Sequence, residues 1–567
     1  MKKQVLGLIA ALFVCAVLLP MGARATDADA AGVYAILYED GTLVFQNGDT
    51  PEPGRNVTNT YEVDLTAVYE YPSYEPWYNE RESIRIVDFM ETIRPTSMAY
   101  WFYECENLES VRNIQNLDTA NVTRMDGMFY DCSGLTALDM SHFDTANVTR
   151  MDGMFYDCSG LTALDVSRFD TTNVTDMSGM FFGCSGLTAL NISHFATANV
   201  TDMCGMFFGC SGLTALDISH FATANVTDMN SMFSSCSGLT ALDISHFATA
   251  NVTDMYGMFF GCSGLTALDI SHFDTANVTS MRFMFFGCSG LTALDVSHWN
   301  TANVTNMGGI FSGCSGLTAL DVSHFDTANV TDMDGMFRDC SGLTTLDVSH
   351  FDTANVTAMT GMFSKCSGLT ALDMSHFDTT NVMFMNNMFF GCRELMTLDM
   401  SYFNTANVIY MSWMFNGCNN LRTIYASDRF TTTSVTTSDD MFSSCTSLLG
   451  GNGTAFDENH TDSEYARIDT ADAPGYFTYK AAPVDYEITA AVPENETLSV
   501  TFSTPRAATL AVAYFDASGK FVSANLQSVQ ANATTATSTV PATAVTARVM
   551  LLDDALCPLC AAFPADV

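Results

Sequence analysis

Basic residues are scarce: the chain of 567 residues carries 22 Lys plus Arg against 63 Asp plus Glu, a net charge of −41. Such a chain lacks the cationic surface that phosphate backbones and anionic headgroups require, so nucleic acid and anionic membranes are excluded as electrostatically favoured partners. A favoured partner is cationic or bridged by metal. Histidine is missing from residues 26–80 and 484–567, all ten lying between His142 and His460. Both ends therefore lack the commonest general base, and an acid pair such as Glu70 and Glu75 is what a hydrolase would have there. A second long apolar run is missing as well, so no membrane insertion is expected. The C-terminal PLCAAFPADV has neither a hydrophobic tail nor a basic stop, so no covalent wall anchor is expected.

The single apolar run stands at the start. Lys2 and Lys3 precede Val5 to Leu19, and Ala23-Arg24-Ala25 follows before a polar stretch. This is the pattern of a secretory signal peptide, residues 1–25, with Cys15 inside it. The expectation is an exported chain, secreted or held non-covalently at the cell surface.

What is abundant is one phrase. Residues 210–229, CSGLTALDISHFATANVTDM, recur letter for letter at 236–255, and the cysteines from Cys132 to Cys418 are each 26 residues apart. Cys105 and Cys445 stand one residue further out at either end. A fixed period of this length marks one structural unit copied along an axis. In the copy from Cys210 to Ser235, Leu216 to Ser219 alternates as a half-buried strand does. Val226 and Met229 form a second short extended piece. Met229, Met232 and Phe233 fall at i, i+3 and i+4, which predicts one helical turn with an apolar face. A lone coil cannot bury that face. Stacked coils about 4.8 Å apart make a rod of roughly 60 Å with a continuous core. The fold expected is a repeat solenoid of β/short-helix coils.

Around residues 81–449, the array, three further units are expected. AILYEDGTLVFQ, Ala35 to Gln46, reads as a hairpin around Asp40-Gly41 within an N-terminal β cap, residues 26–80. Gly450 to Lys480 ends the pattern and reads as a closing cap, residues 450–480. Residues 484–567 hold short strand-like runs such as LSVTFS and ARVMLL, the sign of a small β-sandwich.

The pattern CxxLTxLDxSxFxTxNVTxMxxMFxxC, from about Arg81 to Tyr479, resembles the 26-residue bacterial surface protein repeat of BspA-like leucine-rich-repeat surface proteins. Ordinary leucine-rich repeats place Asn where Phe221 stands, so the curvature is left open between a horseshoe and a flatter solenoid. The resemblance implies an adhesin: a non-catalytic scaffold that needs no cofactor and binds a host or bacterial surface protein or a glycan. Two alternatives stand beside it, a secreted hydrolase with its site in a terminal domain and a passive structural spacer.

Ladders of like residues offer candidate chemistry, each with a plain structural counterpart. Neighbouring ladder cysteines project in parallel about one strand spacing apart, slightly beyond disulfide range, so buried free thiols are expected. Cys204 lies apart from that ladder, and Cys557 and Cys560 form a lone CPLC. The histidines from His142 to His376 follow the strand serine, and Arg168 and Tyr402 replace them in other copies, which suits an exposed turn better than a metal shell. The Asp139 to Asp399 ladder lacks the glycine-rich nonapeptide of calcium β-rolls, so a solvated acidic face is expected and no metal. Asn-Val-Thr, as at Asn225, matches a glycosylation acceptor or an Asn that satisfies turn backbone.

The copies differ mainly on the edge expected to be helical, and there recognition is expected. Tyr256, Arg282 and Trp413 lie between the two Met positions of their coils. Tyr130, Tyr156, Phe182, Phe208, Phe260 and Phe286 follow the constant Phe. This second aromatic either closes the core or forms an exposed stripe.

Overall fold

A computed structural model describes residues 32–482, 487–494, 496–504, 508–530, 533–552, 559 and 562–567. The expected signal peptide, with Cys15, and the pair Cys557 and Cys560 lie outside them. The chain is a repeat protein, rich in short strands gathered into several small open sheets.

The hairpin forms as its alternation predicts. Strands β1 (Val33–Tyr38) and β2 (Thr42–Asn47) pair antiparallel with Leu37 opposite Leu43. Asp40 accepts the Thr42 amide at 3.0 Å, and Gly41 takes φ 80°, where a side chain would also meet the Ser83 carbonyl at 2.6 Å. Strand β3 (Val57–Val63) flanks β1. On the other side β2 pairs in parallel with β4 (Ile86–Phe89), and β4 with β5 (Ser110–Arg112). One five-stranded sheet thus runs across residue 80 into the first coils.

Beyond it, β6 (Ala137–Asp139) and β7 (Ala163–Asp165) pair in parallel with each residue opposite its counterpart 26 further on. The same holds for β8 (Thr397–Met400) and β9 (Thr423–Ala426), to which β10 (Phe477–Tyr479) adds. Between β7 and β8 the expected strand segments keep their alternating burial, Leu216 and Ile218 inside and Asp217 outside, without forming paired strands. Bonds on that side are long, as from Thr292 to Thr266 O at 3.5 Å. The continuous ladder runs instead through the second extended piece, Asp202 opposite Asp228 and Asp228 opposite Asp254.

The expected helical turn at Met229, Met232 and Phe233 is not a helix, and the reason is backbone geometry. The second residue between the two Met positions is left-handed in every coil: φ is 60° at Gly205, 56° at Ser231 and 57° at Gly257. One such residue stops α-helical propagation. Alternate amides then leave the coil: Gly127 donates to Asp152 O at 2.8 Å, Phe129 to Met154 O at 2.9 Å and Asp131 to Tyr156 O at 2.6 Å. The amides between them close local turns, as from Tyr130 to Gly127 O at 3.2 Å. All these donors are satisfied, which a buried backbone requires.

Side chains bind the coils together. The Cys236 thiol donates to Phe207 O of the preceding coil at 2.9 Å, and the ladder cysteines repeat this bond. Every described cysteine is free, and all but Cys204 are buried. Thr223 is buried, donates to Ala248 O at 3.0 Å and accepts the Ala248 amide at 2.8 Å. Asn225 donates to Ala198 O at 2.8 Å. The constant Phe rings stack, Phe181 and Phe207 lying 5.8 Å apart. One apolar core extends from Ala35 to Phe477.

At its end Tyr476 is buried, accepting the Asp457 amide at 3.0 Å and donating to His460 O at 3.0 Å. The remaining strands are β11 (Glu487–Glu494), β12 (Thr497–Ser503), β13 (Ala508–Phe515), β14 (Phe521–Val529), β15 (Thr535–Thr539), β16 (Thr546–Leu552) and β17 (Phe563–Asp566). They form a three-stranded and a four-stranded antiparallel sheet over a separate core that includes Leu498, Leu510 and Val549.

Candidate recognition edge

The turn edge carries most of the variation, and its backbone decides which side chains stand out. Where the left-handed place is glycine, as at Gly153, Gly179 and Gly205, no side chain rises from the turn. The ring of each coil leans over the next glycine, so that a methyl on Gly179 would lie 3.2 Å from Tyr156 and one on Gly205 3.3 Å from Phe182. Those rings form a stack. Tyr103, Tyr130, Tyr156, Phe182 and Phe208 follow one another with centroids 4.5, 4.2, 4.1 and 4.2 Å apart, all half-buried. The stack stops at Phe208 because Ser234 takes the place in the next coil.

Phe260 and Phe286 resume it as a pair at 4.7 Å. The ring after the constant Phe is thus neither core nor free stripe, since each covers its neighbours' faces and shows an edge to solvent. Tyr256 and Trp413 are exposed, at 42% and 41%, on coils apart from the longer stack. Trp413 holds the left-handed place itself, with φ 57°. Arg282 is half-buried, its guanidinium carbon 4.6 Å from the centre of the Phe283 ring.

Along the longer stack lies a trough of about 370 Å³, with Gly153, Gly179 and Gly205 as floor and Tyr156, Phe182 and Phe208 as one wall. Asp152, Ser178 and Cys204 form the other wall, and Ser231 closes the end. Of the residues expected from sequence, the structure brings Tyr156, Phe182 and Phe208 together here and leaves Tyr256, Arg282 and Trp413 elsewhere. Sequence reading passed over the glycines, although Gly recurs between the Met positions.

It also passed over a row of charge. Arg124, Arg150, Asp176, Asp202, Asp228 and Asp254 stand in register on successive coils. Each aspartate accepts an amide two residues on, Asp176 from Ser178 at 3.1 Å and Asp202 from Cys204 at 2.9 Å. Arg150 bridges Asp152 at 2.9 Å and Asp176 at 3.4 Å. Burial raises the Asp202 carboxyl above its ordinary range, and Asp176 and Asp228 beside it push the same way. Burial, then Asp228 and Asp202, lifts the Cys204 thiol to about 11.

The strand side differs. Asp217, Asp243 and Asp269 are exposed and lie below the usual carboxylate range because the hydroxyl and amide of the serine two residues on bond to each. Histidines there pack on the preceding coil, His298 Nε2 lying 3.0 Å from Ile270 O. Of the terminal acid pair, Glu70 is exposed, whereas Glu75 is buried, has no partner for Oε1, and is raised by that burial to about 9.

A family described as "Mycoplasma protein of unknown function, DUF285" matches four overlapping stretches, residues 96–213, 180–293, 258–372 and 366–468. No curated protein matches the chain.

Proposed function

We propose, from the premise that this chain belongs to the DUF285 family, that it is an exported solenoid acting as a non-catalytic binding scaffold, an adhesin for a surface protein or glycan of a host or another cell. The observation that carries this reading is the contrast between a constant interior and a varied turn edge. The coils spend their Cys, Thr, Asn and Phe on their neighbours, and the turn edge changes character most, as at the place before the left-handed residue, from Ser178 to Cys204 to Tyr256 to Arg282. An array multiplies like groups along lines, which suits many weak contacts with a long or repeated ligand better than one catalytic point. The 26-residue repeat and its likeness to BspA-like proteins support the same role, with the β hairpin and the Gly450 to Lys480 segment as caps.

An array of matrix proteins and glycans probed with the full chain tests it: retention of at least one ligand, weakening as salt rises, is the expected result. Turnover of a peptide or glycoside substrate that is lost in Glu75→Gln would overturn it.

A further inference from the structure

The turn around each ladder cysteine changes character toward the C-terminal end of the array. Between Arg282 and Arg422 the chain has three cations, Arg338, Lys365 and Arg393, and each lies within two residues of such a cysteine. A pocket of about 540 Å³ opens where they meet. Its floor is glycine: a methyl on Gly391 would lie 3.5 Å from Lys365 Cγ, and one on Gly417 3.5 Å from Gly391 Cα. Lys365 and Arg393, both exposed, stand around this floor with Phe390, Asn416 and Asn419. Among the described lining residues the one carboxylate is Asp339, which Arg338 and Lys365 approach only to 3.6 and 3.5 Å, beyond hydrogen-bond length. Elsewhere in the array polar side chains are spent between coils, as Asn225 is on Ala198 O, whereas the side chains of Arg393, Asn416 and Asn419 bond to no other described residue. Phe390 is open in the same sense. Ser364 and Asn416 hold its place in the adjacent coils, so no ring covers it as Tyr156 and Phe208 cover Phe182.

We propose that this pocket binds an acidic sugar residue of a glycan, its carboxylate held by Arg393 and Lys365 and its ring lying on Phe390. The assignment rests on reading the chain as a binding scaffold and names the ligand chemistry of one part of it. A guanidinium takes both oxygens of a carboxylate in two parallel hydrogen bonds, and an ammonium beside it adds charge without a fixed direction. The amides of Asn416 and Asn419 can donate and accept, as the hydroxyls of a sugar require. An aromatic face, negative at its centre, suits the C–H side of a pyranose ring. The volume falls among those of sites that hold small ligands, and a few polar groups around an aromatic wall are their usual lining. The charge of −41 does not forbid an acidic ligand here, because at physiological salt charges more than about 8 Å away are largely screened and the nearest are cations.

The test titrates the full chain, by saturation-transfer NMR, with two acidic probes: trigalacturonate for an acid inside a polysaccharide and 3′-sialyllactose for an acid at a glycan end. Methyl-esterified trigalacturonate and lactose are their neutral counterparts. At least one acidic probe should bind at least about tenfold more tightly than its counterpart, and which one does so separates the two sources. Arg393→Ser and Lys365→Gly should each weaken that binding at least about fivefold. Both restore residues that neighbouring coils carry at those places, Ser367 and Gly391, so the fold accepts them. Arg168→His likewise restores a residue of the repeat and removes a distant cation on the strand side; at about pH 8, where histidine is neutral, it should leave binding within about twofold. Binding of neither acidic probe, or equal losses from Arg393→Ser and Arg168→His, would overturn the assignment. If the protein and glycan array retains a ligand while neither acidic probe binds, the scaffold reading survives and the pocket assignment alone falls.

Discussion

Adding one methyl group to Gly238 tests how closely the coils are packed. This glycine has an ordinary φ, so space alone excludes a side chain: a Cβ would lie 2.4 Å from Ser211 O and 2.7 Å from Leu213 O of the preceding coil. Ordinary contact begins near 3.4 Å, so the two gaps fall short by about 1.0 and 0.7 Å. Both obstacles are backbone, and neither can swing aside. To make room the coil must rise, which stretches the bonds from Gly205 to Asn230 O at 2.8 Å and from Phe207 to Met232 O at 2.9 Å. Overpacking of this kind costs about 3 kcal/mol, roughly a hundredfold in the local opening equilibrium. Gly261→Ala is the control. There φ is 70° and the nearest obstacle 3.6 Å away, so only left-handed strain of about 1 kcal/mol is added. Native-state hydrogen exchange read by mass spectrometry should place faster exchange of Gly238→Ala between about Cys210 and Cys262, with distant coils unchanged, as a nearest-neighbour array requires. Wild-type exchange in those coils, or a larger effect of Gly261→Ala, would refute the reasoning.

Three other outcomes are expected. Among the described cysteines a thiol reagent should modify only Cys204 in the native chain, slowly at neutral pH because its thiol is pushed to about 11, and all of them after unfolding; native labelling of Cys236 would contradict its burial. Glu75 has a folded-state pKa of about 9 against an ordinary 4.5, so the neutral acid favours the fold below the lower value and that stability is lost as pH rises toward the upper; Glu75→Gln should flatten the fall of Tm across this window, by several kcal/mol at its alkaline end. Trp413→Gly replaces an exposed ring at φ 57° and should raise the urea midpoint, by about 1 kcal/mol in stability; a lower midpoint would mean that the ring packs against something.

The period, the core ladders and the free thiols were legible because each rests on a residue type recurring at 26, and burial follows type. The short helix was not. Met229, Met232 and Phe233 have helical spacing, but the stop is a backbone angle that glycine permits at Gly205 and that Ser231, Phe283 and Trp413 adopt as well. Residue types alone do not announce a left-handed angle at Phe283. The candidate edge was legible as a set of varied positions and not as a place. Tyr156, Phe182 and Phe208 converge because glycines lie between them, whereas Tyr256 and Trp413 stand exposed on coils outside that stack, Tyr256 against Phe283. The acidic row escaped notice because Asp176, Asp202 and Asp228 sit in the Thr-Asp-Met phrase, where each looks like an ordinary solvated residue.

The alternating amides of the turn edge also give the molecule a direction in time. From Met98 to Gly417 these N–H groups point to the following coil, Met98 to Arg124 O at one end and Gly417 to Ser443 O at the other, both at 2.9 Å. A coil emerging from the ribosome therefore holds a row of unanswered donors until the next 26 residues have been made, and ordering trails synthesis by one coil throughout. The last debt is settled outside the series, where Phe442 donates to Thr461 O at 2.8 Å. On the turn edge, a nascent chain halted before Thr461 would end in these open donors, whereas the same array begun late would leave open the carbonyls that receive them, so truncation from the two sides is chemically unequal.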